Sequence, residues 1–125
     1  MATLIDKDFF ARLNALNEKF AASVPVTLAR LRGYRGAFNP DAPQQELVSE
    51  LHQTLHTIAG SAATFGFRVF GQQARQLEQR LRVLMAFDTV AAGDWRHWLE
   101  DLDLYLDWAE RNPKADDYPD DGRIQ

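Results

Sequence analysis

The sequence predicts an all-α fold, an up-and-down four-helix bundle with a kinked or additional N-terminal helix. Three observations carry this expectation. Large apolar residues recur at intervals of three and four over most of the chain, with no alternation of the kind a strand needs. Glycine and proline are gathered at a few points, and the stretches between them have helical length. The 125 residues, 46% of them hydrophobic, suit one domain with a single core, and no internal repeat suggests another architecture.

The first helical segment opens near Thr3 or Asp6, either of which can cap it. Its apolar stripe is Phe9, Leu13, Leu16, Phe20 and Val24. Pro25 interrupts the pattern, which resumes through Leu28 and Leu31 to about Tyr34, so one kinked helix or two successive helices are expected. Gly36 to Pro43 reads as a loop, with Asp41 as the next cap. The second stretch turns Leu47, Val48, Leu51, Leu55, Ile58, Ala62 and Phe65 to the core and breaks at Gly66. The third carries Phe67, Phe70, Ala74, Leu77, Leu81 and Leu84 on one face. After a connection over Asp88 to Asp94, the fourth bears Trp95, Trp98, Leu99, Leu102, Leu106 and Ala109, and Asn112-Pro113 ends it. The expected organisation is a bundle over residues 1–112 and a flexible acidic tail or linker over 113–125.

Composition narrows the partners. Fourteen basic and 18 acidic residues give a net charge of −4, which argues against nucleic acid and against an anionic membrane surface. No apolar run approaches the roughly 20 residues a spanning helix needs. The N-terminus lacks the apolar core of a signal peptide. Cysteine is absent, so thiol chemistry and disulfides are excluded, and a cytoplasmic location fits.

One segment departs from ordinary helix design. In Leu55-His56-Thr57-Ile58-Ala59-Gly60-Ser61-Ala62-Ala63-Thr64-Phe65-Gly66, a glycine stands in a helix interior one turn after a histidine. At about 100° per residue, the apolar residues of this stretch occupy a sector about 100° wide; His56 lies roughly 140° from its centre and Gly60 roughly 180°. Gly60 therefore points away from the core, where glycine costs about 0.5–1 kcal/mol relative to alanine. Close approach of another surface gives that cost a physical reason. His52, Gln53, Ala59, Gly60 and Ala63 are the candidate docking residues, and the imidazole of His56 stands over them as an accessible nucleophile. The bland alternative is a surface histidine near an incidental glycine. His52 and His56 also have the i, i+4 spacing of a metal pair, but no third ligand is evident nearby in sequence, so no metal site is expected.

The run is similar to the histidine-containing phosphotransfer (HPt) family, whose pattern is approximately His-x-Leu-Lys-Gly-Ser-x-x-x-x-Gly followed by a helix containing Leu-Glu. His56, Ile58, Gly60, Ser61 and Gly66 match in order, and Leu77-Glu78 matches the later element. The resemblance covers residues 47–84 well, and the outer helices only in length and pattern. It implies a four-helix bundle without kinase activity of its own. It also implies that His56 takes a phosphoryl group from a receiver-domain aspartate or a hybrid histidine kinase and passes it to another receiver domain. The partner would supply the divalent metal, so no cofactor is expected here, and the protein is expected to be a monomer. Relatives hold the Nδ1 proton of the histidine with a carboxylate on the next helix, a role that falls on Glu78. The family lysine three residues after the histidine is replaced by Ala59, and Arg75 is the candidate to take over its contact with the phosphoryl oxygens. The missing lysine leaves open an alternative, a module of the same fold that binds a receiver or kinase domain without carrying phosphate.

Overall fold

The computed structural model describes the backbone of residues 2–119 and the side chains of residues 7–119. It contains α1 (Ala2–Ala37), α2 (Gln45–Ser61), a 3₁₀ turn (Ala62–Phe65), α3 (Arg68–Met85) and α4 (Ala92–Arg111), with no strand among the described residues. The four helices form a bundle around one core, as the spacing predicts. No described helix is long and apolar enough to cross a membrane.

The helices are fastened by a few directed bonds added to apolar packing. Trp98 Nε1 donates to the Leu77 carbonyl at 3.0 Å, and the Tyr105 hydroxyl donates to the Phe70 carbonyl at 3.0 Å, which ties α4 to α3. Both aromatic residues are buried, and each uses its one polar atom on an otherwise occupied helix carbonyl. Arg32 on α1 donates to Asp107 and Glu110 of α4, while Arg35 donates to Asp103. Hydrogen bonding to Glu110 raises the Arg32 pKa above its ordinary value, against the opposing effect of burial.

Where α2 passes α3, the chain uses its small residues. A Cβ built on Gly71 would lie 3.0 Å from Ala62 Cβ and 3.6 Å from the Ala63 nitrogen, so this glycine sets how closely the two helices approach. The turn joining them ends on Gly66 at φ +89°, a left-handed conformation, and its N–H closes on the Ala63 carbonyl.

Several expectations are corrected. Of the two alternatives at Pro25 the chain takes the first, one helix, but α1 has already begun at Ala2, ahead of Thr3 and Asp6; the side chains of residues 1–6 lie outside the described part. The stripe on α1 is only half used. Val24, Leu28 and Leu31 are buried and Phe20 packs partly against the core, but Phe9 and Leu16 are exposed. The reason is length: α1 has 36 residues and its neighbours 17 to 20, so its first half has little to pack on. Asp41 caps no helix; α2 starts after Gln44, and the Asp41 carboxylate accepts from Arg96 at 3.0 Å. Residues 113–119 of the expected tail lie against the end of the bundle. Trp108 Nε1 donates to the Asp117 carbonyl, Tyr118 meets the Trp108 ring edge-on at 5.2 Å, and Lys114 sits over Phe67 at 5.2 Å. Residues 120–125 lie outside the described residues.

Candidate functional site

α2 divides into three faces. Val48, Leu51, Leu55 and Ile58 are buried. Glu50, Gln53, Thr54 and Thr57 line one flank, facing α1 across a groove of about 400 Å³. The Thr54 and Thr57 hydroxyls in that groove already donate to carbonyls of their own helix. The other flank, leaning toward α3, carries His52, His56 and Ala59, with Gly60 and Ala63 beside it.

His56 is exposed and makes no hydrogen bond among the described residues. Gly60 is exposed too, and a Cβ built there would meet nothing within 4 Å. Ala63 is exposed and Ala59 partly so. The imidazole thus stands beside a strip of backbone and methyl groups, as the spacing of the sequence predicts. Gln53 is exposed but belongs to the α1 flank, where its amide donates to Thr57 Oγ1 at 3.4 Å.

α3 supplies the charged neighbours. Arg75 Nη2 donates to the Ala59 carbonyl at 3.1 Å. A guanidinium is therefore bound at the residue where the HPt resemblance expects a lysine. Glu78 does not reach His56. Its Oε2 accepts from His52 Nε2 at 2.7 Å, and from Arg82 Nε at 3.1 Å and Nη2 at 2.6 Å. The register explains the exchange. With Gly71 against Ala62, Glu78 comes two turns later on the antiparallel helix and falls level with residues 52–56. Of the two histidines there, His52 is turned nearer α3 and His56 nearer solvent, so the inward carboxylate meets His52 first.

Glu78 is only 1% exposed. Burial works to raise its pKa, but hydrogen bonds from Arg82 and His52 outweigh it and hold the carboxyl below its ordinary value. His52 is then a buttressed side chain and not the open docking residue expected from sequence. Its ring lies nearly parallel to that of His56, 14° between planes and 6.0 Å between centroids. Among the described residues, no three metal-binding side chains converge. The sequence offers a visible signal for one further residue of this site, since a glycine at 71, between Phe70 and Ala74 on an apolar face, marks close helix approach, whereas nothing local singles out Arg82 as a partner of Glu78.

The arrangement offers an accessible nucleophilic nitrogen, a bare surface for a partner, and an arginine close by. Comparison with curated proteins and with solved structures gives no match. Comparison with protein families does: the Hpt domain matches residues 15–111, a span that takes in all of α2, α3 and α4 and most of α1, and the chain belongs to that family.

Proposed function

We propose that this phosphotransfer module of two-component signalling is a relay intermediate whose phosphoryl acceptor and donor is Nε2 of His56. The observation that carries the reading is the exposed, uncommitted imidazole of His56 beside the uncovered backbone of Gly60. Phosphoryl transfer has a loose transition state, so it asks chiefly for alignment and charge stabilisation. An aspartyl phosphate on a receiver domain, or a hybrid histidine kinase, presents the phosphoryl group in line with Nε2. The P–O bond of the donor breaks, the leaving oxygen keeps its electron pair, and the P–N bond forms on His56. The reverse step delivers the group to the next receiver. Arg75 is tethered to the carbonyl of Ala59, which lies within a turn of His56, and replaces the family lysine as the cation for the phosphoryl oxygens. The docking strip is Ala59, Gly60 and Ala63.

The test is transfer of label from a phosphorylated receiver domain to the full chain. An acid-labile, alkali-stable phosphate that is lost in His56→Gln is expected. Ala59 in place of lysine favours one other reading, a module that binds such domains without accepting phosphate. Stable binding of a receiver with no label at His56, from competent donors, would establish that second reading.

A further inference from the structure

Glu78 is the one charged side chain buried in the core among the described residues. A buried carboxylate must be paired, and Arg82 on the same helix already gives it two hydrogen bonds. The third donor comes from α2 and belongs to the turn that carries the reacting histidine. An ionised carboxylate can only accept, so His52 Nε2 is the donor to Glu78, and Nδ1 is left as the position on that ring that can gain a proton. The ring so held lies parallel to His56 at 6.0 Å.

A phosphoryl group on His56 brings about 1.5–2 negative charges into this setting. Arg75 lies toward Ala59, on the C-terminal side of His56. On the N-terminal side, one turn back, the neighbour is His52. We propose that His52 is a positioning residue of the relay: when His56 is phosphorylated, His52 Nδ1 takes a proton from water, and the resulting imidazolium, clamped by Glu78, supports the phosphoryl group from the side opposite Arg75. The inference rests on His56 as the acceptor. No co-reactant is needed beyond the phosphoryl donor and water, since the proton is drawn from solvent and returned to it when the group leaves. The groups that face His52 are Glu78 and Arg82 from α3 and His56 from its own helix. On α1, Tyr34 donates to Glu50 on the other flank of α2. On α4, Asp101 pairs with Arg80, and Asp103, Asp107 and Glu110 are engaged by Arg32 and Arg35. Glu78 and the arriving phosphoryl group are the negative charges beside the ring, and Arg82 is the positive one.

The full chain, labelled with ¹⁵N, is observed by NMR at one fixed neutral pH before and after phosphorylation with phosphoramidate. The expected result is that the His52 ring nitrogens move toward the imidazolium pattern once His56 carries phosphate. In His52→Gln the amide can still donate to Glu78 but cannot be charged. Its phosphorylated fraction at equal phosphoramidate is expected to fall by about threefold or more, and His52→Lys to recover it. A phosphorylated His56 with unchanged His52 ring nitrogens overturns the inference, whatever the variants do. Equal phosphorylation of wild type and His52→Gln overturns it as well. Absence of phosphate on His56 with both phosphoramidate and phosphorylated receiver domains removes the relay reading and this inference together, a result distinct from the first two.

Discussion

Two residues near His56 carry opposite costs, and each can be measured. Gly60 gives up helix stability at a position where a methyl group would meet nothing within 4 Å. Gly60→Ala is expected to stabilise the protein by about 0.5–1 kcal/mol in denaturant unfolding. If a receiver domain docks over this strip, Gly60→Leu slows transfer from a phosphorylated receiver several-fold while phosphorylation by the small donor phosphoramidate stays at the wild-type rate. Equal loss with both donors would mean that the substitution disturbs His56 itself and not the docking surface. Glu78 has the reverse character, a core charge sustained by its partners. Its folded-state pKa lies below the ordinary value of 4.5, so its contribution is fully present above that pH and is lost as pH falls through the folded-state value. Glu78→Gln should cost about 1–3 kcal/mol near neutrality, and the gap from wild type should narrow steadily below about pH 4.5. Unfolding curves for both proteins over an acid series check the sign. The exposed His56 and Gly60 were legible in the sequence, because helical periodicity alone fixes which way a residue points. The partner of Glu78 was not legible, because two histidines one turn apart differ only in their rotation toward α3, and that depends on the register between helices.

That register is set at the crossing of α2 and α3, where Gly71 meets Ala62 and Ala63. The same substitution that helps at Gly60 should harm here. Gly71→Ala gains roughly 1 kcal/mol of helix propensity, but its Cβ would lie 3.0 Å from Ala62 Cβ, on a neighbour that can yield only by moving α2. Overpacking of this kind costs about 1–3 kcal/mol, so a net loss near 1 kcal/mol is expected, and Gly71→Leu should lose several times more. Thermal unfolding of Gly60→Ala and Gly71→Ala side by side tests the contrast, and two shifts of the same sign would refute it. A displaced α2 also separates Arg75 from the Ala59 carbonyl, so Gly71→Ala should slow phosphoryl transfer although it lies far from His56 in the chain. Most helices were readable from period and breakers: α4 ends at Arg111 before Asn112-Pro113, and Gly66 closes the second stretch, although α2 itself stops at Ser61 and a 3₁₀ turn carries the chain on to that glycine. The start of α2 was not, because Asp41 has the chemistry of a cap but is engaged by Arg96 across the bundle, a contact no local pattern announces.

The two ends of the chain contribute to the whole molecule in ways that composition misjudged. The apolar stripe of α1 is as dense before Pro25 as after it, yet it is buried only where other helices run alongside it. Phe9 and Phe10 remain 54% and 57% exposed. The segment after Asn112 reads as a polar tail, yet its two anchoring side chains, Lys114 and Tyr118, are aimed at aromatic faces left at the end of the bundle. A pattern-based reading weighs each segment by its own apolar content and cannot see whether a surface awaits it. The consequence is a reversal of expected importance between the termini. Removal of the N-terminus through residue 16 takes away, among the described side chains, only exposed ones and the half-buried Leu13, and should lower stability by less than about 1 kcal/mol. Removal of residues 113–125 uncovers Trp108 and Phe67, now 7% and 3% exposed, and deletes the carbonyl that accepts from Trp108 Nε1. The lost aromatic contact and apolar cover correspond to about 1–3 kcal/mol. Chemical unfolding of the two truncated chains ranks the termini, with tryptophan emission as a second readout, since only the C-terminal deletion should shift it to the red. Tyr118→Ala should reproduce part of that shift in the full-length chain by removing the edge-on contact with Trp108 while leaving the Asp117 carbonyl in place. A C-terminal deletion with unchanged emission and stability would mean that residues 113–119 rest on the bundle without supporting it.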